Sequence, residues 1–303
     1  MTPKSARCLA VSVLIVAASP VWAARGPVQL TFGDGKSESY HAPVFSPDGK
    51  TIAYTRRAEG EPYHVWLMDA DGRNRRELTH GQGDFAASWS VDSKRIAYQS
   101  PAKDATKQVG FSIWVVNADG SDARQLTTPP AGRSDQYPWW IDSRTVGYKQ
   151  YNQEGQPPLK LAVPSDSGEP RPANEGLFER RSPDGSFIAF SSPTAVAVST
   201  EPASPFPHQF ELWVSSADGS GARKIVDNVG TWMWSLKSRC IYYSRDEKIH
   251  RVQVTGKKPK DTIVHDCPNV GCRFDVSPDD RWLLYSDSSE HWEGNLFKDK
   301  LPR

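Results

Sequence analysis

The chain of 303 residues lacks the charge excess that marks several classes of binding protein. Its formal net charge is only +1, from 37 Lys and Arg against 36 Asp and Glu. A nucleic-acid-binding protein usually has a basic excess or a basic stripe. The two short basic runs here, Arg73–Arg76 and Lys257–Lys260, are typical of solvated turns. We therefore predict no nucleic-acid partner.

Cysteine is scarce, with four residues in the whole chain. Cys267 and Cys272 bracket a turn-rich loop, so we expect them to form a disulfide in an oxidising compartment. Closing so small a loop contributes roughly 2 kcal/mol in the chain-entropy model. Cys240 lies in an apolar stretch and is expected to be a buried thiol. The alternative, a metal site that adds His265 and Asp266 to the two loop cysteines, lacks the second spaced ligand pair of a structural zinc site.

Long hydrophobic runs are also missing, except near the N-terminus. Two basic residues precede an apolar run, Cys8–Ala18, which is too short to span a bilayer. Val21 and Ala23 then provide small or tolerated residues at the −3 and −1 positions of a cleavage site, an order typical of a secretory signal peptide. We predict a signal peptide over residues 1–23 and one mature domain over residues 24–303 without a transmembrane segment. The mature protein should then be a periplasmic or secreted monomer.

The sequence is instead rich in aromatic residues and turn formers, with 11 Trp, 10 Tyr, 11 Phe, 24 Pro and 22 Gly. A pattern that first reads Phe-Ser-Pro-Asp-Gly-Lys-Thr-Ile-Ala-Tyr places a turn between two extended segments. It recurs about every 42 to 53 residues, which suits a propeller blade of four strands. The six copies of this hairpin lie at residues 45–54, 89–98, 139–148, 181–190, 234–243 and 276–285.

A second pattern has the same period: an apolar strand, an Ala-Asp-Gly turn and a short strand, as in residues 65–79. Together the two patterns predict blades of four antiparallel strands, A to D from the inside out. The sixth copy has no strand D, but residues 27–32 resemble the strand that ends at Thr79. We predict that they complete the last blade, which gives an all-β, six-bladed β-propeller closed by its N-terminal strand.

The aromatic residues occupy two fixed places in the hairpins. One is the position before the serine of the turn, assigned to Phe45, Trp89, Trp139 and Trp234, and the other is the last residue, Tyr54 in the first copy. We expect these rings to pack between neighbouring blades. Burial of one such ring removes 150–250 Å² from water, about 4–6 kcal/mol before the opposing entropy.

The repeats, with Ser-Pro-Asp-Gly-Lys, Ile-Trp-Val-Val-Asn-Ala-Asp-Gly and Arg-Gln-Leu-Thr, resemble those of TolB-like six-bladed β-propellers. The resemblance implies a periplasmic location and a protein partner held at the propeller mouth. TolB itself has an α/β domain before its propeller, whereas here only a few residues separate the predicted cleavage site from the closing strand, so the sequence resembles the propeller alone. Related hydrolases need a Gly-x-Ser-x-Gly motif, which the sequence lacks. Related lyases that cleave pectin fragments use a cluster of histidine ligands around a metal at the mouth. In this sequence only His41 occupies the start of an A strand.

The fold separates its loops onto two faces. The Ser-Pro-Asp-Gly and Ala-Asp-Gly turns share the turn face, whereas the B–C and D–A connections form the variable face, where binding usually concentrates. The longest B–C loop, Ser191–His208, is either a rim flap or a tolerated insertion.

The starts of the A strands should surround the channel mouth on the variable face. The binding candidates there are His41, Asp84, Asp135, Glu179, Trp232 and Arg273. Such a group of residues suits the binding of a ligand or of a peptide end. The alternative is that these residues are polar only because the channel mouth is in contact with water. A divalent cation held by Asp84 and Asp135 is a further option; no other cofactor is predicted.

The leading hypothesis is an exported, non-enzymatic binding or scaffold propeller that holds a protein or peptide on its variable face. The alternative is a lyase or hydrolase acting on a small glycan or peptide, with His41 and the mouth acids as its chemistry. No residue is assigned a catalytic role at this point.

Overall fold

The computed structural model describes residues 26–102, 110–152, 158–166, 168–173, 179–193, 210–237, 240–256, 259–266, 273–287 and 294–302. In these ranges the chain forms six antiparallel sheets of four strands, which confirms the six-bladed β-propeller. None of the described segments is a helix that could cross a membrane. The predicted signal peptide and the Cys267–Cys272 disulfide lie outside these ranges and stay predictions.

Blades 1 to 5 each consist of four consecutive strands, and blade 6 combines the last three strands with the first. The first strands of blades 6, 1, 2 and 3 contact one another in that order, which places them around the axis. Blade 1 contains β2 Glu38–Phe45, β3 Thr51–Ala58, β4 His64–Asp69 and β5 Arg76–Glu77. Blade 2 contains β6 Phe85–Trp89, β7 Arg95–Pro101, β8 Phe111–Asn117 and β9 Arg124–Gln125. Blade 3 contains β10 Arg133–Trp140, β11 Thr145–Asn152, β12 Leu159–Pro164 and β13 Arg171–Pro172.

The other three blades have the same order. Blade 4 contains β14 Glu179–Arg181, β15 Phe187–Pro193, β16 Phe210–Ser216 and β17 Arg223–Val229. Blade 5 contains β18 Trp232–Trp234, β19 Cys240–Arg245, β20 Lys248–Gln253 and β21 Asp261–Asp266. Blade 6 contains β22 Phe274–Val276, β23 Trp282–Ser286, β24 Leu296–Lys300 and, as its outer strand, β1 Val28–Gln29.

The N-terminal strand closes blade 6 as predicted, with the same hydrogen bonds as an ordinary outer strand. The Leu30 amide donates to the Leu296 carbonyl at 2.7 Å, and the Leu296 amide donates to Thr31 Oγ1 at 2.8 Å. In blade 1, Thr79 Oγ1 accepts the Val65 amide in the same way at 3.0 Å. The ring is therefore closed by strand pairing, in which β1 covers the outer edge of β24 in blade 6.

The hairpin turns owe their shape to the serine and aspartate of the pattern. Ser46 Oγ donates to Asp48 Oδ1 at 2.6 Å and accepts the Thr51 amide at 3.0 Å. The same two bonds form in the copies at Ser90, Ser182 and Ser277. Asp48 is therefore a turn former, as the repeat indicates. In blade 5, where Lys237 replaces the aspartate, Ser235 donates instead to Asp280 of blade 6 at 2.7 Å.

The hydrophobic core lies between neighbouring blades. One cluster, for example, joins Leu67 of blade 1 to Trp89 and Tyr98 of blade 2. The residues that end four of the hairpins, Tyr54, Tyr98, Tyr148 and Tyr243, are all buried, as predicted. Cys240 is a buried free thiol, and burial raises its pKa.

One aromatic position differs from the sequence prediction. Trp140, not Trp139, occupies the place of Phe45, because it pairs with Val146 as Phe45 pairs with Ile52. The turn of blade 3 is one residue shorter, so counting from the aspartate misassigned the tryptophan. Trp139 instead lies against Gly147, where an added Cβ would come within 2.3 Å of its ring.

Candidate functional site

The channel mouth on the variable face is shaped by bulges in three inner strands. The register shifts between His41 and Val44, between Phe85 and Ser88, and between Gln136 and Trp139. Each bulge contains a non-glycine residue with positive φ: Ala42 at 45°, Ala86 at 56° and Tyr137 at 53°. Such backbone is uncommon, and bulges often re-aim side chains beside functional sites. Blades 1 to 3 thus direct their mouth residues by the same device.

His41 lies at the mouth in blade 1 and is only 6% exposed. Its Nε2 is 3.3 Å from Ser39 Oγ, and its ring centroid is 5.7 Å from that of Tyr63. Burial, together with the guanidinium groups of Arg57 and Arg273, lowers the pKa of His41 to about 4. His41 is therefore a neutral hydrogen-bonding group at pH 7, beside two cations.

Arg273 reaches towards the channel axis from blade 6. Burial lowers its pKa, and the hydroxyl of Tyr137 acts in the opposite direction. Tyr137 belongs to blade 3, which lies opposite blade 6 in a closed ring of six. An interaction between opposite blades crosses the channel, so Arg273, Tyr137 and His41 gather around one space at the mouth.

A row of aromatic rings extends outwards from this space over blades 1 and 2. From His41 it passes to Tyr63, then to Phe85 at 6.4 Å and to Phe111 at 5.1 Å between ring centroids. The rings of Tyr63, Phe85 and Phe111 are half-buried, so part of each is open to a ligand. The Arg57 guanidinium lies 5.2 Å from the Tyr63 ring centroid. We call these three rings the aromatic row.

Asp84 and Asp135 are at the predicted strand starts, but both are buried and held within the protein. The Gly81 amide donates to Asp84 Oδ2 at 2.8 Å, and Gln150 Nε2 donates to Asp135 Oδ1 at 2.9 Å. Burial raises the pKa of Asp135. Among the described residues no three His, Cys, Asp or Glu side chains form a group that could hold a metal ion.

The two remaining predicted residues lie at a different depth in the channel. Trp232 opens β18, is 7% exposed and packs in the cluster between blades 4 and 5, so it is a core residue. Glu179 opens β14 opposite Phe190, whereas His41 lies opposite Thr55. The inner strands of blades 4 and 5 have no bulge in their described parts, so their first residues are not the counterparts of His41.

Four residues of this site are absent from the sequence prediction: Arg57, Tyr63, Phe111 and Tyr137. Arg57 begins the variable loop at 57–62 and Tyr63 follows it. Their place beside a loop of the variable face could have identified them as candidates. Tyr137 carried no signal, because the bulge that places it depends on strand pairing.

No protein-family model matches the chain. A stretch of 99 residues is 38% identical to the Tol-Pal system protein TolB of Anaeromyxobacter dehalogenans (strain 2CP-C). The match covers 33% of this chain and 21% of that relative, so the chain spans about a fifth of the curated relative's length.

Two solved structures show the same architecture. TolB from Acinetobacter baumannii has a TM-score of 0.59 at 15% identity, over 89% of this chain and 65% of that chain. An oligogalacturonate lyase in complex with manganese has a TM-score of 0.53 at 14% identity, over 91% of this chain and 93% of that chain. At these identities the likeness shows the fold alone. The chain is therefore a six-bladed β-propeller, and a third of its sequence is similar to that of TolB.

Proposed function

We propose that this protein is an exported binding module of the bacterial envelope that holds a peptide or protein segment on its variable face. The observation that carries the proposal is the aromatic row, which leads from the outer part of blade 2 to the channel mouth. The N-terminal sequence supports export, and the partial match to a Tol-Pal system protein supports an envelope location.

The aromatic row suits a peptide better than a flat protein surface. Aromatic rings supply large, rigid contact areas and dominate the energy of many interfaces. Here the three rings form a line rather than a patch, and Arg57 beside Tyr63 adds a cation at its edge. An extended segment with apolar side chains can contact successive rings along this line, in the manner of peptides bound in aromatic-lined grooves.

Phage display on purified residues 24–303 tests this proposal. We expect enriched peptides with apolar side chains, and Phe111→Ala should weaken the best of them by about tenfold because the row loses a ring. Val91→Ala is the matched control, because Val91 is 55% exposed on the turn face. Enrichment of no peptide, or equal binding by the two variants, would contradict the proposal.

The competing function is an enzyme at the channel mouth, and one observation favours it. His41 is buried and neutral at pH 7 beside Arg273, so its ring can hydrogen-bond a substrate next to a bound anion. Assays with oligogalacturonate and with peptides distinguish the two functions. Turnover that disappears in His41→Ala, with the fold intact by circular dichroism, would replace the binding role by a catalytic one.

A further inference from the structure

Below the mouth the channel contains a guanidinium and a carboxylate from blades that do not touch. Arg180 of β14 pairs with Ala189, and Asp275 of β22 pairs with Leu284. These are equivalent positions of two inner strands, so both residues lie at one depth. Blade 5 separates their blades, yet each charge affects the pKa of the other residue. Both side chains therefore project towards the channel axis.

Asp275 is already occupied by the backbone of another blade. Its Oδ2 accepts the Phe45 amide of blade 1 at 2.6 Å. This bond joins blade 6 to blade 1 at the inner strands. The carboxylate thus serves the closure of the ring and is not in contact with Arg180 as an ion pair.

Arg180 has no such partner among the described residues. Its side chain is half-buried, and no carboxylate or carbonyl of the described chain accepts a hydrogen bond from its guanidinium. A guanidinium has five donors in a planar fork, and a charge taken partly out of water is costly unless it is paired. A carboxylate fits that fork with two parallel hydrogen bonds.

The approach to Arg180 is also cationic. Arg273 lies two residues nearer the mouth than Asp275, and Arg57 lies beside neutral His41 at the rim. Positive charge thus follows the channel inwards from the inner end of the aromatic row. An anionic group that moves down this path meets Arg273 first and Arg180 below it.

We propose that the channel receives the carboxylate-bearing end of the bound peptide, with Arg273 guiding it and Arg180 binding it. This inference rests on the proposed peptide-binding function, because the aromatic row supplies the adjoining contacts. The inference adds the direction of the bound peptide: its apolar residues lie on the aromatic row, and its acidic end lies in the channel. Arg180 is then a specificity-determining residue.

The test uses two synthetic peptides and nuclear magnetic resonance titration of the mature protein. The first, acetyl-Phe-Tyr-Phe-Glu with a free C-terminus, carries two carboxylates at its end. The second, acetyl-Phe-Tyr-Phe-Gln-amide, has the same rings and no charge. We expect the acidic peptide to bind about tenfold more tightly and to shift the His41 and Tyr137 signals, because charge-assisted bonds to arginine are strong.

Arg180→Gln should remove about tenfold of the acidic peptide's affinity and leave the neutral peptide's affinity unchanged. Arg180→Lys keeps the positive charge without the planar guanidinium, so it should lose less affinity for the acidic peptide. Thermal melting confirms that each variant is folded. Arg73→Gln, at an exposed position of the turn face, is the control.

The outcomes separate the inference from the function beneath it. Equal binding of the two peptides, or full affinity in folded Arg180→Gln, would overturn the carboxylate site and leave peptide binding standing. Binding of neither peptide, with tri-galacturonate bound through Arg180, would overturn the peptide assignment itself.

Discussion

His41 shows how the surroundings of a single histidine can keep it neutral at pH 7. It is buried beside two guanidinium groups, and both burial and cations disfavour its protonated form. Its pKa in the folded protein is about 4, below the ordinary value of 6.5. Its contribution to stability is therefore complete above pH 6.5 and is lost as the pH falls towards about 4. At the mouth it acts as a neutral group.

Replacement of a neighbouring cation should change this titration. In Arg273→Gln we expect the pKa of His41 to rise from about 4 towards 6.5, because one of the charges that oppose protonation is gone. Arg73→Gln, on the turn face, should leave it unchanged. The measurement is the imidazole chemical shift of His41 against pH. An unchanged titration in Arg273→Gln would show that Arg273 points away from the mouth.

At the scale of the element, the outer strands are held by one recurring threonine. Thr31, Thr79 and Thr127 each accept a backbone amide of the neighbouring strand, at 2.8, 3.0 and 3.0 Å. The hydroxyl compensates for the shortness of these strands, some of which have only two residues. Two strand residues provide few ladder bonds, so a side-chain acceptor extends the pairing. The N-terminal strand therefore uses the same contact as the internal ones.

Thr31→Val tests the closure of the ring. The change keeps the shape and leaves the Leu296 amide without its acceptor, so the free energy of unfolding should fall by about 1–3 kcal/mol. Thr79→Val should cost a similar amount, and Thr128→Val, at an exposed position, should cost little. Urea unfolding of the three variants provides the comparison. A loss in Thr79→Val without one in Thr31→Val would argue against closure by the N-terminal strand.

At the scale of the whole molecule, the channel links blades that are distant in sequence. Asp275 of blade 6 binds the backbone of blade 1 and acts on Arg180 of blade 4. Burial raises the pKa of Asp275 from 3.8 to about 6, although the Phe45 and Val276 amides and Arg180 favour its charged form. The ionised carboxylate thus carries a cost above that pH. The carboxylate of Asp275 thus lies at a point where it binds blade 1 and is influenced by blade 4.

The pH dependence of stability should show that cost. The folded pKa exceeds the unfolded value, so the folded protein binds more protons between pH 4 and 6 and stability falls as the pH rises. Asp275→Asn keeps an acceptor for Phe45 and removes this dependence, which is worth roughly 1–3 kcal/mol. Urea unfolding of both proteins from pH 4 to 7 measures it. Parallel curves for the two proteins would show that Asp275 titrates normally.

The sequence by itself determined the architecture. The turn chemistry of Ser46 and Asp48 is local, the hairpin recurs at a blade-like spacing, and the strand ending at Thr31 matches the one ending at Thr79. Such features depend on neighbours in the chain, so they can be read without a structure. The same reasoning placed His41 and Arg273 at the channel mouth, since both follow from the start of a repeated strand.

Only the tertiary structure decided which side chains meet in the channel. The bulge before Val44 and the shorter turn after Trp140 change the depth of every residue beyond them, and no local pattern announces either. Trp232 belongs to the core because the inner strand of blade 5 has no such bulge in its described part. The electrostatic influence of Arg180 on Asp275 depends on the closure of six blades, because the two residues lie on strands that are neighbours neither in sequence nor in a sheet. The sequence repeats determine the turns and packing positions that recur from blade to blade. The candidate site consists of residues that differ between blades.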